Sequence, residues 1–137
     1  MTSSPADRPT ATGRDPRTIL VVEDEDYLRG LIRLALERAG YRVLDVADGE
    51  AALDAVARQR PDLILLDIAL PGIDGFAVCQ RLKEDPATSG IRILMLTAMS
   101  EDADRQRGLG VRADGYVAKP FGPFALLARI KDELGDP

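Results

Sequence analysis

Five polar residues stand at four points in the sequence where a short apolar run ends. They are Glu23 with Asp24, Asp67, Thr97 and Lys119. Each has an ordinary explanation when taken alone, because an acid after a strand often caps the next helix and a threonine or lysine can face solvent. Together they supply carboxylate, hydroxyl and ammonium groups, which can bind a cation and a phosphoryl group.

Charge repulsion limits what these acids can do if they meet in one cleft. Two carboxylates about 4 Å apart repel by roughly 4 kcal/mol at an effective dielectric constant of about 20, so three of them require positive partners. Lys119 supplies one, and a hard divalent cation suits the oxygen ligands; a partly hydrated Mg²⁺ fits best. The sequence has no histidine, which excludes Ser-His hydrolysis, Cys-His catalysis and histidine-ligated zinc.

A carboxylate beside a cation, a lysine and a hydroxyl can act as a nucleophile toward phosphorus. Phosphoryl transfer depends mainly on alignment and on neutralising charge on the transferred oxygens, so it needs no general base here. The residues therefore predict that Asp67 becomes an aspartyl phosphate while Thr97 and Lys119 neutralise charge.

The composition is that of one small domain. A length of 137 residues with 45% hydrophobic residues is ordinary for a single globular unit. A formal charge of -5 without a basic cluster disfavours direct nucleic-acid binding, and no apolar run approaches the ~20 residues of a membrane-spanning helix. Residues 1–17 lack a signal-peptide core and are predicted to be a disordered tail. The single cysteine, Cys79, cannot form a disulfide within the chain, and we expect it to be buried. The lack of a disulfide and of a signal-peptide core indicates a cytoplasmic protein.

Short apolar runs alternate with segments of helical periodicity, and this pattern predicts how the polar groups are positioned. Strands are predicted at residues 18–22, 41–46, 62–66, 91–96 and 115–118, each followed by a helix. Such alternation implies a parallel sheet flanked by helices. The predicted fold is α/β, a flavodoxin-like doubly wound (βα)5 domain over residues 18–134 with strand order 2-1-3-4-5 and a tail at 135–137. Strand one then adjoins strand three, so three carboxylates meet at one sheet edge.

The same residues belong to short motifs whose order and spacing are highly specific. The motifs are Val22-Glu23-Asp24, Leu66-Asp67 with Pro71 and Asp74-Gly75, Leu96-Thr97-Ala98, Gly115-Tyr116, and Lys119-Pro120-Phe121. Over residues 18–134 they resemble the receiver (REC) domain of bacterial two-component response regulators. No room remains for a second domain, so the chain resembles a stand-alone regulator of the chemotaxis type, or else it is a piece of a longer protein.

The resemblance implies a role for each acid. Asp67 is expected to be the phosphorylation site. Glu23, Asp24, Asp67 and the backbone carbonyl of Ala69 are expected to hold Mg²⁺, for which Mn²⁺ could substitute. Phosphorylation of Asp67 would then depend on the cation.

The resemblance also implies groups that bind the phosphoryl oxygens and respond to them. Thr97, Ala98 and Lys119 are expected to bind those oxygens, and the bond before Pro120 is expected to be cis, which would aim Lys119 into the pocket. As a switch, Thr97 would move toward the phosphoryl group while the ring of Tyr116 turns inward. The structural alternative for Tyr116 is a ring that half covers the fifth strand.

A phosphorylation-activated signalling switch needs a donor and a target. The resemblance implies a sensor histidine kinase or a phosphotransfer protein as donor, and a phosphoacceptor that labels itself once rather than an enzyme. The helix predicted at residues 100–109 has only Ala103 and Leu109 as apolar anchors, so it should be loosely held. We expect phosphorylation to shift the face made of that helix, the fifth strand and the last helix, and so to control an unknown downstream protein. The chain would be a monomer or a phosphorylation-dependent dimer.

Three other functions match parts of the sequence. Asp24 and Asp26 have the D-x-D spacing of haloacid-dehalogenase-type phosphatases, but Tyr27 and Leu28 do not continue that motif. A receiver-like interaction module that no longer accepts phosphate is disfavoured by the complete set of pocket residues. Flavodoxin-type FMN binding is discarded, because acids after strand one would repel the cofactor's phosphate.

Three positions depart from the family pattern. Arg112 stands where the family often has glycine, so the shape of that turn is not predicted. Ala69 and Met99 lie two residues beyond the acceptor and the threonine, at positions that tune phosphoryl lifetime in the family. Neither side chain can hydrogen-bond an attacking water, and we expect Met99 to shield the phosphorus.

We therefore predict that phosphorylated Asp67 hydrolyses slowly. Met99→Ala should speed the decay because it removes the shield, and Ala69→Asn should speed it because an amide can hydrogen-bond the attacking water. The measurement is the loss of phosphoryl groups from the protein over time. Unchanged decay rates in both variants would contradict the prediction.

Overall fold

The computed structural model describes residues 16–97 and 112–136, and within them five strands form one parallel sheet. The strands are β1 (Thr18–Val22), β2 (Arg42–Val46), β3 (Leu63–Asp67), β4 (Arg92–Thr97) and β5 (Gly115–Ala118). Their order across the sheet is β2-β1-β3-β4-β5, which confirms the predicted flavodoxin-like fold. The helices of the described ranges are α1 (Asp26–Arg38), α2 (Gly49–Arg58), α3 (Gly75–Glu84) and α4 (Pro123–Leu134).

Several sequence predictions lie outside the described residues. They concern residues 1–15 of the predicted tail, Ala98, Met99 and the helix predicted at residues 100–109. Among the helices of residues 16–97 and 112–136, none combines the length and the apolar character that crossing a membrane requires.

The three central strands, β1, β3 and β4, are buried on both faces, which explains why they read as continuous apolar runs. All five residues of β1 and all five of β3 are buried. Side chains alternate between two clusters, one with α2 and α3 on one face of the sheet and one with α1 and α4 on the other. Cys79 of α3 is buried in the first cluster, as predicted, and its burial raises the pKa of the thiol to about 11.

Two strands extend one residue further than their predicted ends. Asp67 is the last residue of β3 and Thr97 is the last residue of β4. The reason is pairing with the neighbouring strand, since Asp67 is in register with Leu96 and Thr97 with Ala118. The sheet therefore holds the backbone of both polar residues directly.

The turn at Arg112 has the conformation that glycine would adopt easily. Arg112 has a φ of 59°, in the left-handed region, and its guanidinium donates to the Lys83 carbonyl at 2.9 Å near the end of α3. The buried Nζ of Lys83 lies 2.8 Å from Asp114 Oδ2, which also accepts the Ile93 N–H at 2.7 Å. These bonds hold the starts of β4 and β5 at the edge of the sheet opposite Asp67 and Thr97.

Gly75 allows α3 to begin directly against the backbone of Asp67. Its N–H donates to the Ile68 carbonyl at 3.0 Å, and Asp74 caps the helix by accepting the Ala77 N–H at 2.9 Å. A Cβ on residue 75 would overlap the Asp67 carbonyl oxygen and lie 2.9 Å from Ile68 Cα. The close approach therefore requires glycine, and it positions the loop that follows Asp67.

We predict that Gly75→Ala lowers the free energy of unfolding by about 2 kcal/mol, because the added methyl group must push α3 away from β3. The matched control is Gly30→Ala at an exposed position of α1, where a Cβ meets no atom within 4 Å. That control should gain about 1 kcal/mol from helix propensity. Urea unfolding measures both, and equal effects of the two substitutions would contradict the close-approach argument.

Candidate functional site

The ends of four strands bring the predicted polar residues together at one edge of the sheet. Glu23 and Asp24 follow β1, Asp67 ends β3, Thr97 ends β4 and Lys119 follows β5. Glu23, Asp67 and Thr97 are almost fully buried, with 1%, 4% and 1% of their surface exposed. Asp24 is exposed at the mouth. The edge therefore combines buried acids with an entrance from solvent.

Lys119 bridges the two buried carboxylates. Its Nζ lies 2.9 Å from Glu23 Oε1 and 3.1 Å from Asp67 Oδ2. Burial opposes the charged form of Lys119, but the hydrogen bonds to Glu23 and Asp67 outweigh burial, so the pKa of Lys119 is raised above its ordinary value. The ammonium is therefore the resident counter-ion of the cleft.

Backbone hydrogen bonds fix the residues that follow the strands. The Glu23 N–H donates to the Val46 carbonyl at 3.2 Å, and the Lys119 N–H donates to the Thr97 carbonyl at 2.7 Å. The peptide bond between Lys119 and Pro120 is cis, the isomer that the family resemblance implies. The sheet thus continues to hold the chain one residue beyond the ends of β1 and β5.

Three carboxylates are arranged so that they could share a metal ion. Glu23, Asp24 and Asp67 each offer one oxygen, and these atoms all lie within 4.8 Å of one another. An all-oxygen donor set without histidine or thiolate suits a hard cation such as Mg²⁺ or Mn²⁺. The side chains present therefore fit the predicted cation chemically, whereas the role of the Ala69 carbonyl as a further ligand stays a prediction.

Of the remaining predicted residues, Ala69 contacts this cluster through its backbone. The Ala69 N–H donates to Asp67 Oδ1 at 3.1 Å, so each oxygen of the Asp67 carboxylate accepts a hydrogen bond, one from Ala69 and one from Lys119. Tyr116 is half-buried and packs against the core cluster beneath α2 and α3. Ala98 and Met99 lie outside the described residues.

Sequence reasoning missed Arg29, a residue of α1 that contacts the loop carrying the acids. Its guanidinium donates to the Glu23 carbonyl at 3.0 Å and to the Asp26 carboxylate at 2.6 Å. The spacing of Asp26 and Arg29 on one helix face could have indicated their ion pair. The contact with Glu23 could not be found that way, because it depends on how α1 leaves the sheet.

Comparisons with known proteins agree with this arrangement. The sequence matches the family described as response regulator receiver domain over residues 19–131. It is 46% identical over 118 residues to the phosphate regulon transcriptional regulatory protein PhoB of Pseudomonas aeruginosa, an alignment covering 86% of this chain and 52% of PhoB. The chain therefore spans about half the length of the curated relatives it matches.

Solved structures share the fold over nearly their whole length. The chemotaxis protein CheY4 of Vibrio cholerae superposes with a TM-score of 0.83 at 32% identity, covering 87% of this chain and 99% of that one. The receiver domain of the sensor histidine kinase PA1611 from Pseudomonas aeruginosa has a TM-score of 0.81 at 34% identity, covering 88% and 99%. That second structure has a magnesium ion coordinated in its active-site cleft.

We predict that Lys119 controls the alkaline stability of the metal-free protein. Because its folded-state pKa is raised, its stabilising effect is complete below the ordinary value of 10.5 and is lost as the pH rises through the folded-state value. Lys119→Met should therefore lower the free energy of unfolding near neutral pH, and the difference from wild type should shrink above about pH 10.5. Urea unfolding in the presence of a chelator, from neutral pH upward, measures this difference.

Tyr41 also destabilises the fold in alkali, because burial and then Asp136 raise the pKa of its hydroxyl to about 12. That effect is common to wild type and Lys119→Met, so the difference between them isolates Lys119. A difference that stays constant across the pH range would contradict the assignment of Lys119 as the counter-ion.

Proposed function

This chain belongs to the receiver domain family of two-component response regulators, and from that premise we propose that Asp67 is its phosphoacceptor in a Mg²⁺-dependent switch. The observation that carries the proposal is the bridge from Lys119 Nζ to both Glu23 and Asp67 at 2.9 and 3.1 Å. A buried acid that keeps a lysine beside it has a positive group ready for the oxygens of an incoming phosphoryl group.

The transfer exchanges one bond to phosphorus for another. A carboxylate oxygen of Asp67 attacks the phosphorus of a phosphohistidine, the new O–P bond forms, and the N–P bond breaks with its electron pair left on the imidazole. Lys119 and Thr97 bind the transferred oxygens and reduce the repulsion between them and the acids. A bound Mg²⁺ would supply further neutralisation of charge, held by Glu23, Asp24 and Asp67 with Mn²⁺ as a substitute.

Donor and target follow from the same chemistry. A sensor histidine kinase or a phosphotransfer protein is the donor, and the group is accepted once by each chain, so the domain is a phosphoacceptor and not a turnover enzyme. A change in Thr97 and Tyr116 would shift the face made of the helix predicted at residues 100–109, β5 and α4. Phe124, at the start of α4, is 87% exposed on this face, which supports contact with a downstream protein. The proposal locates this contact in the cytoplasm.

The test is intact mass spectrometry after incubation with Mg²⁺ and a small phosphodonor. We expect one added phosphoryl group on wild type, and none on Asp67→Asn, because the amide cannot act as the nucleophile. Omitting Mg²⁺ and adding a chelator should suppress the addition to wild type as well.

Asp54→Asn is the matched control for that substitution. Asp54 is an exposed acid of α2 whose partner is Arg58 on the same helix, so its loss should leave phosphorylation unchanged. A phosphoryl group retained by Asp67→Asn would disprove the assignment of the acceptor. No addition to wild type with any small phosphodonor would instead favour the interaction module that does not accept phosphate.

A further inference from the structure

We propose that Arg29 is a positioning residue for the cation ligands, which rests on the proposed function in that the acidic cleft must bind a divalent cation. The guanidinium contacts both the loop between β1 and α1 and the neighbouring strand β2, so it links the loop to the sheet. Arg29 lies in the first turn of α1. The loop it holds is the one that presents Glu23 and Asp24.

The guanidinium contacts three oxygen acceptors, one with each of its nitrogens. Its Nη1 donates to the Glu23 carbonyl at 3.0 Å, its Nη2 to Asp26 Oδ1 at 2.6 Å, and its Nε to Asp45 Oδ2 at 3.3 Å. The planar fork of arginine can reach three such acceptors at once, which the single ammonium of lysine cannot do in the same geometry. The side chain of Arg29 is 19% exposed, and its contacts with Glu23 and Asp45 are partly buried, whereas its partner Asp26 is 89% exposed to solvent.

The contact with Asp45 gives the loop a rigid anchor. Asp45 lies in β2 next to Val46, whose carbonyl accepts the Glu23 N–H at 3.2 Å. Two adjacent residues of β2 therefore hold Glu23, one directly and one through Arg29. Arg33, one turn further along α1, also pairs with Asp45 and keeps that carboxylate in place.

The contacts of Arg29 flank Asp24, the exposed member of the three clustered acids. Asp24 lies between Glu23, whose carbonyl is held, and Asp26, whose carboxylate is held. The Glu25 N–H donates to Glu23 Oε2 at 3.1 Å, and the Glu25 carbonyl accepts the backbone N–H of Arg29 at 2.9 Å. Hydrogen bonds therefore fix the loop on both sides of Asp24. Because the backbone is already ordered, cation binding by the Asp24 carboxylate costs little further conformational entropy.

A purely electrostatic role for Arg29 predicts the opposite sign. A positive charge beside the acidic cleft repels a cation, so removing it would tighten cation binding. A positioning role predicts that binding weakens, because outer partners that orient metal ligands typically contribute a factor of 10 to 100 in affinity. The two roles are therefore separated by the direction of the change.

The experiment compares Mn²⁺ affinity in wild type, Arg29→Met and Arg29→Lys, using electron paramagnetic resonance to count free Mn²⁺. We expect both variants to bind Mn²⁺ about tenfold more weakly, since lysine keeps the charge but loses the fork. The matched control is Arg58→Met, which removes the same charge from an exposed ion pair of α2. The control should bind Mn²⁺ like wild type.

A second measurement separates positioning from chemistry. The Mg²⁺ concentration for half-maximal phosphorylation by a small phosphodonor should rise by the same factor, while the rate at saturating Mg²⁺ should stay close to that of wild type. Unchanged or tighter Mn²⁺ binding in the Arg29 variants would overturn the proposal. Unfolding of Arg29→Lys in urea-free buffer, checked by circular dichroism, would also overturn it, because Arg29 would then be a general stability residue.

The outcomes distinguish this inference from the proposed function. Wild type that binds Mn²⁺ without accepting a phosphoryl group would refute the acceptor role of Asp67, and the Mn²⁺ comparison would still decide the role of Arg29. Wild type that binds Mn²⁺ and is phosphorylated, with Arg29 variants that match it, would refute only the positioning role. Wild type that does not bind Mn²⁺ would refute both.

Discussion

The structure depends on keeping two buried carboxylates close together. Glu23 and Asp67 lie at the ends of adjacent strands with almost no surface exposed, where an uncompensated charge would cost several kcal/mol, on the order of what a small domain has in total. The Lys119 ammonium relieves this by contacting both acids. That contact is possible only because β5 ends at the same edge as β1 and β3, which is a property of parallel strands. The parallel arrangement of the strands is therefore also what allows the two acids to be buried in the cleft.

The sequence was sufficient to predict which residues reach this edge. Strands buried on both faces leave an unmistakable apolar run, and a polar residue that ends such a run must lie at a strand end. The ends of β3 and β4 were nevertheless predicted one residue too early. Asp67 and Thr97 are polar, and a pattern based on hydrophobicity stops before them, whereas the ladder continues because Leu96 and Ala118 supply backbone partners.

Side-chain contacts between different helices and strands could not be predicted from the sequence. The pairing of Arg29 with Asp45 requires the register of β1 with β2, in which Asp45 lies beside Val21, and no local spacing indicates it. Arg112 shows the same limit, because its left-handed backbone is stabilised by the Lys83 carbonyl of a helix that ends 28 positions earlier in the chain. Local pattern predicts elements and their ends, while long side chains find partners that only the assembled fold brings near.

The close packing at Gly75 also limits which part of the cleft could move on phosphorylation. Because α3 packs directly on the backbone of Asp67 and Ile68, the main chain of Asp67 would have little room to move toward α3 if its carboxylate were phosphorylated as proposed. Under the proposed function the displacement would be taken up across the cleft, where Lys119 directly follows β5, a four-residue strand at the margin of the sheet. Under the proposed function, the half of the cleft formed by β3 and α3 would stay in place, and the half formed by β5 would move and pass the signal on.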